Sequence, residues 1–506
     1  MKKIQKSTLA LMFVIVGAKL IGMFRDVVLA NYYGTSNVSD AYLIAVSVPT
    51  LIFYFIGHSI STAYIPMYNK IKAEKDEKSA LSFSNNLLNL SLVASAFVFA
   101  FLFCCPMVAV KVFATGFDDE TASIAADLIK LSSPSIFFMT ILSVFGGYLN
   151  ANKNFLAPAA ISVPRNIAIV VSIVIAARYG IMYLGFGLLV AYIFEFLFIL
   201  PFVLKKHYQY RPTINLKDEN LKHTAYIVLP ILFGMCVGQI NKIIDKSIAS
   251  TVVEGGISAL SYASIINNAV QEVLVTGIIT VLFASCAELV AKGKHKDVKA
   301  KLSSTLDTLS FLLIPASVGV IVLARPIVKT ILCRGSFDER SIAMTTGALC
   351  CYTIGLFFLA IRDTLVKVFY AYKDTKTTTI TSTAAIVLKI AISFFCAKKW
   401  GINGLALATS ISALFNSIVL YVLLINKIGD FGIKSFVSTG IKSLMSSGVM
   451  AFIIIFCKRY VNVISNNEIF KLTVFVALGA IVYFVMSLIL KVGPMMKVVD
   501  KIFKRT

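Results

Sequence analysis

An all-α polytopic membrane protein is the fold class this sequence predicts, and three observations carry it. Hydrophobic residues fill 58% of 506 positions while charged residues make up 14%, and mean hydropathy is +0.85; soluble domains hold about one quarter charged residues. The apolar residues fall into long blocks such as 184–204 and 470–490, each of roughly 20 residues, enough to cross the hydrocarbon as a helix. Third, the connecting segments alternate between Lys-rich and Lys-free. A transmembrane barrel is excluded, because it needs short alternating segments instead of continuous apolar runs.

Taken in order, breaks at charges and loop residues give about fourteen spans. They begin near Ser7, Val38, Leu81, Thr121, Phe155, Met182, His223, Gly256, Val298, Arg340, Thr377, Asn403, Ile433 and Phe470. Met1-Lys2-Lys3 and Lys6 precede an apolar stretch with no small-residue cleavage site before Arg25-Asp26, so it reads as a retained first helix and not a signal peptide. Segments 69–78, 205–222, 291–301 and 497–505 are Lys-rich, whereas 33–37, 113–120 and 252–256 carry no Lys or Arg. The positive-inside rule then puts both termini and the Lys-rich loops in the cytoplasm of a bacterial inner-membrane protein. Two predicted outer loops, around 325–334 and at Lys398-Lys399, dissent.

The net charge of +23 does not indicate nucleic acid, because the cations lie between spans and form no basic domain. Cysteines sit mostly inside spans (Cys104, Cys105, Cys236, Cys350, Cys351, Cys457) without ligand spacing, so neither a zinc site nor a disulfide framework is indicated, and packing is their expected role. Only four histidines occur, His58, His207, His223 and His295. No phosphate-binding Gly-rich loop, nucleophile elbow or metal cluster is found, so an enzyme is not predicted. No loop is long enough for an ATP-hydrolysing domain. Transport would draw on an ion gradient, the membrane potential or the substrate gradient, with no bound cofactor.

An internal repeat organises the chain. At a displacement of about 220 residues, Tyr179-Gly180-Ile181 aligns with Trp400-Gly401-Ile402, and Leu184-Gly185-Phe186-Gly187 with Leu405-Ala406-Leu407-Ala408. Lys19, Gly22, Arg25 and Asp26 likewise fall on Gln239, Lys242, Asp245 and Lys246. Two pseudo-repeated six-helix lobes follow, 1–206 and 223–428, joined by a cytoplasmic linker at 207–222; residues 429–506 add two C-terminal spans and a basic tail. Positions 19, 22, 25 and 26 share an arc of roughly 120° on a helix. Charges at bilayer depth cost about 2.5 kcal/mol or more each, so such stripes are expected to face a polar cavity and not lipid. Arg165, Glu195, Glu272, Arg362, Asp363 and Lys389 are further charges in or near spans, while Lys130 and Glu288 read as snorkelling or structural pairs. Excess cations suit an anionic substrate, and Arg25 has the planar fork that grips a phosphate.

These residues lie in a series of motifs: Gly22-Met23-Phe24-Arg25-Asp26, Asp40-Ala41-Tyr42 with Val48-Pro49, Leu229-Pro230 with Gln239-Ile240-Asn241 and Ile244-Asp245, and Ser258-Ala259-Leu260-Ser261-Tyr262-Ala263. Further on come Arg334-Gly335-Ser336-Phe337, Tyr352-Thr353-Ile354-Gly355-Leu356, Phe369-Tyr370-Ala371 with Asp374-Thr375-Lys376-Thr377, and Gly404-Leu405-Ala406-Leu407-Ala408-Thr409-Ser410. In this series the chain resembles the MurJ (MviN) lipid II flippases of the multidrug/oligosaccharidyl-lipid/polysaccharide exporter superfamily.

The resemblance implies a fourteen-helix, two-lobe fold that flips an undecaprenyl-diphosphate-linked peptidoglycan precursor from the cytoplasmic to the outer leaflet by alternating access. It places Arg25, Asp26 and Asp40 at the cavity, with Lys19 in place of a family arginine, and matches Asp245 to a position implicated in sodium binding. Coupling to Na+, H+ or the membrane potential stays open. Spans thirteen and fourteen would hold the polyprenyl tail. The family's usual cations are absent at two places, where Phe53-Tyr54 and Ser264-Ile265 stand; Lys242, Lys246 and Arg362 are the expected replacements. Beyond the lipid-linked glycan and the bilayer, other cell-wall synthesis proteins are the expected partners. Two alternatives stand beside this reading. One is a flippase for another lipid-linked oligosaccharide or capsular precursor. The other is an integral-membrane glycosyltransferase or polymerase, which would need carboxylates and a large outer loop.

Overall fold

A computed structural model describes residues 2–464 and 467–503, and every regular element among them is helical. The side chains of His58, His223 and Cys236 lie outside the described residues. In chain order the helices are α1 (Lys2–Tyr33), α2 (Asn37–Glu74), α3 (Glu77–Cys104), α4 (Pro106–Phe113), α5 (Asp119–Ser132), α6 (Ser135–Ala151), α7 (Leu156–Ala160), α8 (Ser162–Tyr179), α9 (Met182–Leu204) and α10 (Glu219–Val252). There follow α11 (Gly256–Gln271), a π-helical turn (Glu272–Thr276), α12 (Gly277–Ala291), α13 (His295–Val322), α14 (Ala324–Leu332), α15 (Glu339–Ala371), α16 (Thr375–Ile428), α17 (Ile433–Ile464), α18 (Glu468–Ile489) and α19 (Gly493–Phe503).

Among the described residues ten helices are long and apolar enough to cross a membrane, or eleven if α5 and α6, bent by 49°, form one span. Helices α1 and α10 add 32 and 34 residues. Helix α16 runs for 54 residues but breaks at Gly401, where φ is 60° and ψ −141°. Its two arms, 375–400 and 402–428, are each long enough for a crossing of their own. The architecture is thus compatible with the fourteen expected spans. It is a multi-pass membrane protein.

The helix ends follow the sequence. Asp76 accepts from the Ser79 amide at 2.7 Å to start α3, and Asp338 does the same for α15 from Ser341 at 2.8 Å; a carboxylate there satisfies an orphan donor and the helix dipole. These bonds hold both carboxyls below the usual carboxylate range. The expected fourth span is bent because Pro134 falls at the α5–α6 junction and lacks the N–H that would continue the helix.

The chain divides into two compact units, 1–258 with 334–337, and 259–333 with 338–506. In unit 1 the core is aromatic. Tyr64, Tyr68, Tyr148 and Tyr208 pack with Phe83 and Phe145, and the rings of Tyr148 and Tyr208 meet edge on at 4.9 Å. In unit 2, Leu302, Leu306, Leu365, Phe369, Leu420 and Leu424 form one cluster, while Phe311, Met450, Phe475 and Tyr483 join α13 to α17 and α18.

Candidate functional site

Unit 1 gathers most of the charges singled out from sequence. Arg25 donates through Nε (3.0 Å) and Nη2 (2.7 Å) to Asp26 Oδ1, and its Nη1 donates to Asn166 Oδ1 on α8 at 3.1 Å. The pair lies where α1 packs on α8, with side chains 27% and 11% exposed. Gly22, one turn earlier on α1, also faces Asn166. Lys19 is exposed on the same helix.

Two further groups extend this polar face. Arg165, the neighbour of Asn166, places Nη1 3.3 Å from Glu195 Oε1 on α9 and lies over the Tyr192 ring at 5.6 Å. Glu195 is only 3% exposed, so its charge depends on this partner. Tyr42, buried on α2, is within electrostatic reach of Arg25, Asp26, Arg165 and Tyr192. The cluster therefore mixes two guanidiniums with two carboxylates, two tyrosines and an amide.

Asp40 is placed differently. It is buried, and its carboxylate accepts from the Ser258 amide at 2.7 Å and the Ile257 amide at 3.3 Å. Both amides belong to the first turn of α11, where such donors have no helical partner. Lys246 lies beside the same stretch of α2, with Nζ 3.4 Å from the Leu43 carbonyl. It is in electrostatic reach of Asp40 and of Lys242, which is exposed; Asp245 is half-buried. The two stripes thus have separate neighbours within unit 1: α8 takes Arg25, and α2 takes Lys246.

Arg362 belongs to unit 2. It clasps adjacent Asp363 Oδ1 through Nε at 3.0 Å and Nη2 at 2.6 Å, and Gln271 donates to Asp363 Oδ2 at 3.1 Å. This repeats the Arg25–Asp26 clasp on another helix. Lys389 is buried in α16. Among the described residues no group of three or more His, Cys, Asp or Glu is arranged to hold a metal ion.

Asn166, Tyr192 and Gln271 are not distinguished by the sequence, and Tyr42 only as part of the Asp40-Ala41-Tyr42 motif. None is charged, so by type nothing distinguishes them from the other polar residues of apolar helices. The available signal for Asn166 was adjacency to Arg165 inside a span.

A family model described as "Lipid II flippase MurJ" matches residues 29–486. The curated lipid II flippase MurJ of Thermosipho africanus is 30% identical over 473 residues, covering 93% of each chain. A probable lipid II flippase MurJ of Thermotoga maritima is 27% identical over 413 residues, 80% of this chain and 82% of its own. A solved structure titled as lipid II flippase MurJ in an inward closed conformation superposes with a TM-score of 0.82 at 28% identity, covering 95% of this chain and 98% of that one. An inward-facing multidrug-resistance MATE transporter shares the fold, with a TM-score of 0.69 at 14% identity over 84% of this chain and 99% of its own.

Proposed function

Since the chain belongs to the MurJ family of lipid II flippases, we propose that it carries lipid II from the cytoplasmic to the outer leaflet of the bacterial inner membrane. The observation that supports this reading is the family match across 29–486, which takes in both units. The Arg25 clasp adds a chemical reason. An arginine at bilayer depth is expensive unless it serves a polar partner or an anion, and a diphosphate is the anion that a guanidinium fork fits.

Within this proposal the headgroup gains access to the two faces of the membrane in turn, and both termini are cytoplasmic, as the Lys-rich loops suggest. Energy comes from Na+, H+ or the membrane potential, with Asp245 the position to test for a coupling cation. The decisive experiment is translocation of fluorescent lipid II by the purified protein in liposomes. Transbilayer movement above that of empty liposomes is expected, and its loss with Arg25→Ala. A folded wild-type protein that leaves lipid II in its original leaflet, with each candidate ion gradient imposed, would overturn the proposal.

A further inference from the structure

Helix α8 brings a second arginine to the Arg25 cluster, and the two are held unequally. Arg25 spends Nε and Nη2 on Asp26 and Nη1 on Asn166. A guanidinium has five N–H donors, so this clasp takes most of them. Arg165 meets its carboxylate at 3.3 Å, longer than the roughly 2.7–2.9 Å of a strong charge-assisted bond. Its other neighbour is Tyr192, whose ring centroid lies 5.6 Å from the guanidinium carbon and whose side chain also hydrogen-bonds with it, a neutral partner that leaves the positive charge available to an anion. The Arg165 side chain is 30% exposed while Glu195 is buried. Of the pair, the arginine is therefore the partner open to a ligand. Tyr42 lies within reach of both arginines, which places them around one buried ring.

We propose that Arg165 is a second phosphate-contacting residue, that Arg25 and Arg165 divide the two phosphates of a lipid-linked diphosphate between them, and that Glu195 is the positioning residue which parks Arg165 on Tyr192 when no substrate is present. The inference rests on the reading that this chain moves a lipid-linked diphosphate, and names how the diphosphate is told from a monophosphate. One fork recognises one phosphate, and two forks count two.

The test is binding to the full-length protein in nanodiscs, with a polyprenyl diphosphate and the matching polyprenyl monophosphate as probes. Wild type should prefer the diphosphate by about tenfold or more, the value of one additional charge-assisted contact. Truncating Arg165 alone would strand a buried carboxylate, so the main variant is Arg165→Gln with Glu195→Gln, which leaves no lone charge. This double variant should bind monophosphate as wild type does and lose the preference for diphosphate. Glu195→Gln alone should tighten diphosphate binding by releasing Arg165, and Arg25→Ala should weaken both probes. A double variant that keeps the full preference overturns the inference, as does one that loses both probes equally, the mark of a merely structural pair. A wild type that binds neither probe overturns the flippase reading itself, and with it this inference; that arm contains no substitution, so the two failures are distinguishable.

Discussion

The Ser258 amide donates to Asp40 Oδ1 at 2.7 Å across 218 residues of sequence, and Ile257 donates to the other carboxylate oxygen at 3.3 Å. One acidic side chain near the start of α2 thereby closes the first turn of α11. Asp40→Ala removes the acceptor from two buried amides, each costing about 1–3 kcal/mol when unpaired. The expected outcome is a clear fall in the thermal midpoint of purified protein. Asp40→Asn keeps an acceptor oxygen and should lose less than half as much. If Asp40 also touches substrate, Asp40→Asn will lose transport without losing stability, so both readouts belong in the experiment.

Arg25 and Asn166 form a second long-range pair with a different expectation. Arg25→Ala should abolish complementation of a flippase-depleted strain while the protein remains folded in the membrane. Asn166→Ala removes one hydrogen bond to a charged group and should lower transport by about tenfold, consistent with about 1.5 kcal/mol. Unimpaired growth with Arg25→Ala would remove the residue from the mechanism.

The glycine turns show what the sequence made legible. Tyr179-Gly180-Ile181 and Trp400-Gly401-Ile402 stood out as a repeat, and both glycines adopt positive φ, 124° and 60°. Each reverses the chain between two apolar helices. Arg25, Asp26 and Arg362 were legible because a charge inside an apolar run is conspicuous. Their partners were not. Asn166 and Gln271 are neutral, and what gives them a role is a contact 141 or 92 residues away in sequence. The bend at Pro134 was visible as a proline, but whether it ends a span or bends one depends on the packing of α5 and α6.

The backbone at Gly401 is one that only glycine adopts without strain. At φ 60° and ψ −141° a side chain is strained whatever space surrounds it, at a cost of about 1–3 kcal/mol. Gly401→Ala should lower the thermal midpoint accordingly. Gly180→Ala should do likewise, since no neighbour lies within 4 Å of its added Cβ and its cost is backbone strain alone. Two unchanged midpoints would show that the turns relax.

Three asparagines on α3 strap the segment between α9 and α10. Asn85 donates to the Gln209 carbonyl at 2.8 Å, Asn86 to Asn215 at 2.9 Å, and Asn89 to Arg211 and Thr213 at 3.1 and 2.9 Å. Tyr208 and Tyr210 donate back to Asn85 and Asn89, and burial pushes the Tyr208 phenol up. Replacing Asn86 and Asn89 together by Ala should accelerate tryptic cleavage at Lys206 and Lys217 by about tenfold or more, as local opening becomes easier; Arg211 precedes Pro212 and is not a tryptic site. The sites should be cut from the cytoplasmic side in oriented vesicles. Protection there, with cleavage only from outside, would reverse the proposed topology.

The two arms of α16 form a helical hairpin whose bend is Gly401. Its two arms are tied midway, where Ser412 Oγ donates to the Ala385 carbonyl at 2.7 Å, and at the open end, where Lys427 pairs with Asp374. Asp374 also starts the first arm by accepting from the Thr377 amide at 3.1 Å. The Lys427 hydrogen bond first, and the Thr377 amide second, hold the Asp374 carboxyl below the usual carboxylate range. A carboxyl depressed in the folded state stabilises it above the unfolded value of about 3.9, and that contribution is lost as pH falls through the folded value. Asp374→Asn keeps an acceptor for Thr377 but cannot ionise. At pH 7 the variant should therefore melt below wild type, and the gap should narrow as the pH is lowered through about 4 and below. Both arms belong to one unit, so unfolding of the other should be unaffected, which a site-specific probe on each unit would check. A gap that stays constant with pH would assign the effect to lost packing, and one that widens in acid would contradict the sign of the shift.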